Sequence, residues 1–136
     1  MKIFICCSKA FYSKIPKIKS YLESKGHKVT LPNSYDDPLK EEKVRKEGVD
    51  LHAKWKGKMI REQEQKIRRN DAILVLNLRK NNQPNYVGGA TFLEMYKAYE
   101  LGKKIYLYNQ IPNNILRDEI LGFSPHILDG DLDKIK

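Results

Sequence analysis

A chain of 136 residues is long enough for one domain and buries roughly two thirds of its unfolded surface. Hydrophobic residues make up 40% of it and charged residues 32%, and no apolar run approaches the ~18 residues of a membrane-spanning helix. The formal charge of +9 could attract nucleic acid, but no recognition helix, zinc finger or aromatic RNA-binding motif is present. We therefore expect neither a membrane nor a nucleic-acid partner, and a phosphorylated small ligand would use the same charge.

The chain begins with an apolar run, Lys2–Cys7, that ends at Ser8. No small-residue cleavage pattern follows it, so we interpret it as a strand buried on both faces and not as a signal peptide. Neighbouring residues of a strand point to opposite faces, so Cys6 and Cys7 should not form a disulfide. Two cysteines alone also make no zinc site. We expect a reduced, cytoplasmic protein.

A helix and a second strand come next. Ser8–Ser13 is predicted to be a loop, and Pro16 suits the first turn of the helix that follows. The apolar stripe of this helix is Ile15, Ile18, Tyr21 and Leu22. Gly26 ends the helix, and His27–Leu31 predicts a strand. A strand–helix–strand unit of this kind predicts parallel pairing with a right-handed crossover.

The connection to the third strand is long and highly charged. Pro32–Pro38 is rich in turn formers, and its two adjacent aspartates are either solvated capping residues or substrate contacts. Leu39–Arg69 predicts one long helix, or two helices broken near Gly48 or Gly57. The segment is longer than an ordinary crossover, so it either packs on the body as a wing or covers an active site as a lid. Its lone histidine, His52, is given no role.

The second half of the chain alternates strands and helices. Asp71–Asn77 and Lys104–Tyr108 predict buried strands, Ile111–Leu121 a short helix, and Pro125–Leu128 a last strand. The charged carboxyl-terminal end is expected to have little to pack against. The alternation predicts a three-layer α/β domain of the Rossmann-like or flavodoxin-like kind over residues 1–136, with a mostly parallel five-stranded sheet.

Asn85–Gly102, NYVGGATFLEMYKAYELG, is the segment that best suits chemistry. Two glycines lead into a helix whose apolar residues recur at helical spacing, namely Phe92, Met95, Tyr96 and Tyr99. Projection onto a helix places Glu94 at the edge of this stripe, beside Thr91 and Ala98. Glu94 is therefore either a catalytic carboxylate or a first-turn glutamate that complements the helix dipole.

Ligands of parallel α/β sheets bind beyond the carboxyl ends of the strands. Four segments are predicted to meet there: Cys7–Tyr12, Pro32–Pro38, Asn77–Gly89 and Asn109–Pro112. Glu94 would point into the same crevice. No GxGxxG, P-loop, GxSxG, HExxH or Cys/His cluster is present, so we expect no cofactor and no metal. Cys7 is interpreted as a buried strand cysteine, because no histidine is predicted near it.

A carboxylate at the edge of a buried face, with another acid nearby, suits glycosyl chemistry. A glutamate can attack an anomeric carbon and form a covalent glycosyl-enzyme. Asp71 is the only other acid predicted at the core sheet. However, it precedes its strand, which indicates the amino end of the sheet and not the end where ligands bind.

RNDAILVLN and NYVGGATFLEMYKAYELGKKIYLYNQIP resemble the nucleoside 2-deoxyribosyltransferase-like family, which includes deoxynucleoside monophosphate glycosidases. The likeness covers about Asn70–Pro112. It implies that Glu94 is the nucleophile that attacks C1′ of a 2-deoxyribonucleoside and releases the base. Transferases of the family pass the sugar to a second base, and hydrolases pass it to water. The resemblance also implies a role near the base for Asp71.

The same resemblance implies that the loop and helix start around Gly88, Gly89 and Thr91 face the sugar or its phosphate, and that Phe11 or Tyr12 lies near the substrate. With the polar residues at the strand ends, the predicted substrate-binding set is Cys7, Ser8, Phe11, Tyr12, Asn77, Asn85, Tyr86, Gly88, Gly89, Thr91 and Asn109. Two features depart from the family. Asn85–Ala90 lacks the second acid of the transferases, and the first loop lacks the glycine-rich and serine-rich phosphate segment of the hydrolases.

The sequence thus predicts an enzyme that cleaves or transfers the N-glycosidic bond of a deoxynucleoside or its monophosphate. Family members form dimers or larger assemblies, so a homo-oligomer is expected. The alternative is a nucleotide-binding or sensing module that has this fold without turnover.

Overall fold

Five parallel strands form the centre of the computed structural model, which describes residues 1–136. Their order in the sheet is β2-β1-β3-β4-β5, and every neighbouring pair is parallel. The strands are β1 Lys2–Cys6, β2 Lys28–Thr30, β3 Ala72–Val75, β4 Lys104–Leu107 and β5 His126–Ile127. The predicted α/β fold with a parallel five-stranded sheet is confirmed.

Helices cover both faces of the sheet. They are α1 Ile15–Ser24, α2 Lys40–Glu47, α3 Val49–Arg69, α4 Gly89–Glu100 and α5 Arg117–Gly122. Two 3₁₀ helices, Lys9–Lys14 and Leu132–Lys134, complete the regular structure. None of the helices combines the length and the apolar character needed to cross a membrane.

Alternating residues of each strand enter two separate cores. Ile3 and Ile5 of β1 pack with α1 on one face, whereas Phe4 and Cys6 pack with α3, α4 and α5 on the other. Cys7 contacts the α1 core, so the two neighbouring thiols lie on opposite faces and are free, as predicted. The period of two therefore decides which layer of helices each strand residue meets.

The segment 39–69 forms two helices with a break at Gly48. Gly48 has φ +131°, a conformation that side-chain-bearing residues rarely adopt, while Gly57 continues α3 without a break. α2 buries only Val44, and α3 buries Ile67 near its end. Polar contacts must therefore contribute much of what holds this pair of helices on the body.

Three local predictions are wrong. The predicted loop 8–13 is largely the 3₁₀ helix Lys9–Lys14, because Ser8 Oγ accepts a hydrogen bond from the Ala10 N–H at 3.4 Å and caps it. The predicted helix 111–121 begins only at Arg117, because Asn114 Oδ1 accepts from the Leu116 N–H at 2.9 Å and forms a turn instead. The charged end does pack, since Ile135 is 5% exposed within the α1 core.

The buried face of α4 also differs from the prediction. Tyr96 and Tyr99 are about half exposed, at 48% and 53%, and with Phe92 they surround Phe123 near the surface. The residues that α4 buries are Thr91, Glu94, Met95 and Ala98. Tyrosine can lie at a surface with its ring packed and its hydroxyl in water. The positions of Tyr96 and Tyr99 therefore did not indicate which face of α4 is buried. Glu94 thus lies within the buried face and not at its edge.

Candidate functional site

A cavity of about 360 Å³ lies beyond the carboxyl ends of β1 and β3, next to the amino end of α4. This is the edge where parallel α/β sheets bind ligands. The first turn and the β2 end contribute Cys7, Ser8, Lys9, Ala10, Tyr12, Pro32, Asn33 and Ser34. The 39–69 segment contributes Glu41, Glu42, Trp55, Lys56, Met59 and Gln63. The β3–α4 connection and α4 contribute Lys80, Tyr86, Gly88, Gly89, Ala90, Thr91 and Glu94.

Glu94 lies on the wall of this cavity that α4 forms and is only 5% exposed. Burial raises the pKa of its carboxyl group to about 8, against the opposing effects of the Cys6 side chain and of the Lys66 and Lys56 ammonium groups. A glutamate that serves only the helix dipole would be exposed to water, with its charge screened. A buried carboxyl group whose pKa is near neutral pH is instead typical of a catalytic group.

The start of α4 brings backbone N–H groups to the cavity. Its N-cap residue is Gly88, and no side chain caps the first turn. These N–H groups form the positive end of the helix dipole and suit a negatively charged ligand. A Cβ atom at Gly88 would lie 3.3 Å from the Tyr86 hydroxyl oxygen, so glycine allows the Tyr86 ring to pack closely there.

Lys80 joins the β3–α4 connection to the first strand–helix turn. Its Nζ atom donates a hydrogen bond to Ser8 Oγ at 3.2 Å and lies 4.8 Å from the centre of the Tyr86 ring. Phe11 is buried behind that ring and contacts it edge-on, with centroids 6.4 Å apart. Of the two aromatic candidates, Tyr12 therefore lines the cavity, and Phe11 supports Tyr86 from behind.

Tyr12 and Cys7 are both neutral at physiological pH. Burial, with a further contribution from Glu94, raises the pKa of the Cys7 thiol to about 12. Burial also raises the pKa of the Tyr12 hydroxyl above its ordinary value. No histidine lines the cavity beside Cys7, so the thiol lacks the partner that activates a cysteine nucleophile. Both groups have a proton to donate.

The opposite wall contains a second carboxylate, Glu41. It accepts hydrogen bonds from Lys9, His52 and Lys56. Burial alone would raise the pKa of Glu41, but hydrogen bonds from these three partners outweigh it and lower the pKa to about 2. Glu41 is therefore ionised at neutral pH.

Trp55, Met59 and Asn33 form a less charged part of the wall. The Trp55 ring stacks on His52 at an interplanar angle of 18° with centroids 6.4 Å apart. Asn33 Nδ2 donates to the Met59 carbonyl oxygen at 3.1 Å, and Asn33 Oδ1 is buried without a hydrogen-bond partner. Aromatic and thioether groups beside an amide offer a surface suited to a flat heterocycle.

Several residues of the 39–69 segment were missed by sequence reasoning, as were Lys9 and Lys80. A lysine or glutamate of a charged helix has the same sequence signature whether it faces water or a cavity. The only signal was the length of the segment, which predicted a wing or lid. The predicted Pro32–Pro38 turn reaches the cavity through Pro32, Asn33 and Ser34, whereas Asp36 and Asp37 do not line it.

Asn77 and Asn109, two predicted binding residues, bond to each other outside the cavity. The Asn109 N–H donates to Asn77 Oδ1 at 2.8 Å, and Asn77 Nδ2 donates to the Gln110 carbonyl oxygen at 2.8 Å. Asn77 is fully buried, so these bonds satisfy its amide and fix the carboxyl ends of β3 and β4. Asn85, with φ +58°, also lies outside the lining and serves the turn before α4.

Asp71 lies at the other end of the sheet from Glu94. Its carboxylate accepts a hydrogen bond from the Lys2 N–H at 2.8 Å, which lowers its pKa. Asp71 immediately precedes β3, whereas the cavity lies beyond the carboxyl end of that strand. This placement corrects the expectation, implied by the resemblance, that Asp71 is near the base. It agrees with the topological argument that put Asp71 at the amino end.

No group of three or more His, Cys, Asp and Glu side chains lies close enough together to hold a metal ion. The titratable groups of the cavity are instead Glu94 with its raised pKa, the carboxylates of Glu41 and Glu42, three lysines and two neutral proton donors. Such a set suits a polar organic ligand with a negatively charged part.

Comparison with known proteins supports the fold. No family model matches the chain, and no curated protein sequence matches it. Among solved structures, it is similar to the CMP N-glycosidase BcmB of Clostridium botulinum, with a TM-score of 0.53 and 20% sequence identity. The match covers 93% of this chain and 84% of that chain. At this identity the likeness shows a shared fold.

Proposed function

We propose that this protein cleaves the N-glycosidic bond of a nucleoside 5′-monophosphate or deoxynucleoside 5′-monophosphate, with Glu94 as the nucleophile. The observation that carries the proposal is the position of Glu94, 95% buried yet lining a polar cavity at the ligand-binding edge of the sheet. The resemblance in sequence and the CMP N-glycosidase of the same fold support this class of substrate. Transfer of the sugar to a second base, in place of water, would use the same first step.

The reaction would take two displacements. The ionised Glu94 carboxylate attacks C1′, the bond from C1′ to the base nitrogen breaks, and its electron pair leaves with the base. The base nitrogen takes a proton from a neutral donor, and the Tyr12 hydroxyl is the group we assign to this step. Water then attacks C1′ of the glycosyl ester, releases the sugar phosphate and restores the Glu94 carboxylate, while the proton of that water returns to Tyr12.

The cationic groups of the cavity favour a phosphorylated substrate over a nucleoside. Lys9, Lys56 and Lys80 line it beside the carboxylates of Glu41 and Glu42, and the uncapped start of α4 adds backbone N–H groups. A phosphate monoester carries between one and two negative charges at neutral pH and accepts several hydrogen bonds. The ligand would therefore place its phosphate towards these cations and its sugar towards Glu94.

A nucleotide-binding module without turnover is the second candidate. It is favoured by the pKa of Glu94, because a carboxyl group with a pKa of about 8 is mostly protonated at neutral pH, and the protonated form cannot attack. The absence of any acid from Asn85–Ala90 points the same way. Such a module would bind nucleotides saturably but release no base.

We also propose that the protein forms a homo-oligomer. Ile60, Leu93 and Tyr96 are 40–48% exposed around a hollow of about 170 Å³ between α3 and α4 that Glu94 also borders. A second copy would cover these apolar side chains. Sedimentation of the wild-type protein and of a Tyr96→Glu variant tests this. Wild type should sediment as an oligomer and the variant should dissociate, and a wild-type monomer at high concentration would contradict it.

The test of function measures base release from the nucleosides, deoxynucleosides and their 5′-monophosphates by chromatography. We expect release from at least one monophosphate, and at least a 10³-fold loss in Glu94→Gln, which keeps the shape of the side chain but removes the charge. Glu100→Gln is the matched control, because Glu100 is an exposed glutamate of the same helix paired with Lys97. If no base is released from any of these substrates at high enzyme concentration, the proposal of catalysis is rejected and nucleotide binding without turnover is the function that is left.

A further inference from the structure

We propose that Glu41 is a positioning residue that holds Lys9 and Lys56 in place on the cavity wall to receive the negatively charged part of the ligand. This inference rests on the proposed substrate class, a nucleotide, but not on turnover. Glu41 is the point where three parts of the chain meet. It belongs to α2, while Lys9 belongs to the first 3₁₀ helix and Lys56 to α3.

The contacts of Glu41 use most of its hydrogen-bonding capacity. Oε1 lies 3.3 Å from Lys9 Nζ, and Oε2 lies 3.2 Å from Lys56 Nζ. Oε2 also lies 3.0 Å from His52 Nε2 and 3.4 Å from an Arg45 guanidinium nitrogen. A carboxylate has about four lone-pair sites. With three hydrogen bonds and one ion pair from the protein, Glu41 is occupied by its neighbours, so it acts on a ligand through them.

The two lysines, in contrast, keep free donors. Each ammonium group has three N–H bonds and gives one to Glu41. The side chains of Lys9 and Lys56 are 33% and 40% exposed, whereas that of Glu41 is only 12% exposed. The carboxylate is thus nearly buried behind the lysines, which present their remaining N–H groups to the cavity.

Electrostatic repulsion explains why the carboxylate of Glu41 is needed between the cations. Without Glu41, two ammonium groups and a guanidinium group would repel one another around an empty space, and α2 would lose its polar contacts with α3 and the first turn. With Glu41 ionised, the group of Lys9, Arg45, Lys56, Glu41 and Glu42 retains one positive charge in excess, counting His52 as neutral. A fixed cationic wall costs a negatively charged ligand less entropy than mobile lysines would.

Another glutamate of α2, Glu47, provides a matched control. It is exposed at the end of the helix and does not line the cavity. Glu41→Gln and Glu47→Gln remove the same charge from the same helix. Only the first removes the carboxylate that joins the three elements.

Trp55 provides the measurement. It is the single tryptophan of the chain, lines the cavity and stacks on His52, so its fluorescence should change when a ligand binds. Titrations would use cytidine 5′-monophosphate and cytidine, which differ only in the phosphate, in the Glu94→Gln background to prevent turnover. We expect Glu41→Gln to weaken binding of the monophosphate about tenfold and that of cytidine less than twofold. Glu47→Gln should change both less than twofold.

Lys56→Gln is the second variant, and it keeps the proposal testable if Glu41→Gln does not fold. It should show the same selective loss for the monophosphate. An equal loss for both ligands in Glu41→Gln, or no loss, would overturn the inference, since a merely structural role would not discriminate between them. Absence of saturable binding of the monophosphate would overturn it too. Selective loss without any base release from wild type would keep this inference and reject only the enzyme.

Discussion

Two of the three carboxyl groups that line the cavity, Glu94 and Glu41, have opposite environments. Glu94 projects from α4 among apolar side chains of the sheet, and burial raises its pKa to about 8. Glu41 is also subject to burial, which by itself raises the pKa, but hydrogen bonds from His52, Lys56 and Lys9 lower it to about 2. The difference shows that burial alone does not decide the charge of a carboxyl group, because the hydrogen bonds and charges around it also act on its pKa.

The difference also separates two roles. A nucleophile must be ionised to attack but is more basic when its pKa is raised, whereas a group that organises cations must stay charged. The helical wall around α2 and α3 therefore contributes fixed charge, and the α4 wall contributes the group we assign to chemistry. The following predictions test this contrast, from the largest expected effect to the smallest.

The largest effect is the pH dependence of base release. Only ionised Glu94 can attack, so kcat/KM should fall about tenfold for each pH unit below about 8 and level off above it. Steady-state rates between pH 6 and pH 9 measure this. A flat profile over that range would mean either that Glu94 ionises at its ordinary value or that another group attacks.

Stability should respond to Glu94 in the opposite direction to activity. Its pKa in the folded state is raised above the ordinary 4.5, so its contribution to stability is full below pH 4.5 and is lost as the pH rises towards 8. Glu94→Gln should therefore raise the free energy of unfolding by about 4 kcal/mol at pH 8 and by little at pH 4. Urea unfolding at both pH values measures it, and a destabilised variant at pH 8 would contradict the assignment.

Glu41 should show the reverse sign. Its pKa is lowered, so its contribution is present above pH 4.5 and is lost as the pH falls through about 2. Glu41→Gln should lower the free energy of unfolding by about 1 kcal/mol at pH 7, and the difference from wild type should shrink at pH 3. The same urea experiment measures it. A loss of equal size at both pH values would indicate a packing effect and not a charge effect.

The smallest effect is expected at Asp71. Its exposed carboxylate caps the Lys2 N–H at the amino end of the sheet. Asp71→Asn should therefore leave kcat/KM within about twofold of wild type, because no substrate in the cavity would reach it. A loss of activity as large as that of Glu94→Gln would show that a site forms at the other edge of the sheet.

The parts of the fold that could be predicted are those in which apolar residues recur at a regular spacing along the sequence. The buried strands, the parallel pairing and the helix that carries Glu94 follow from apolar runs, glycines and alternation. The predicted start of α5 was wrong because Asn114 forms a local turn, and the spacing of apolar residues does not reveal such a turn. The prediction that the carboxyl-terminal end has little to pack against was wrong, because Ile135 packs on the α1 core. This contact depends on tertiary structure alone.

The candidate site divides in the same way. Glu94, Gly88 and Thr91 could be placed at the cavity because they share one helix start next to a predicted strand end. Lys9 and Glu41 could not, because 32 residues separate them and nothing in the sequence brings charged helices together. Asn77 was selected for its position at a strand end, but it satisfies backbone groups instead of binding a ligand. Position along the chain predicts which end a residue occupies, not which neighbour its side chain meets.

The most direct test of the central claim is to trap the covalent intermediate on Glu94. The protein would be mixed with the monophosphate that shows base release, quenched in acid within milliseconds and digested, and its peptides would be analysed by mass spectrometry. We predict a glycosyl phosphate adduct on the peptide that contains Glu94, which appears with base release and is absent from Glu94→Gln. Base release without an adduct at Glu94, or with an adduct on another residue, would contradict the account.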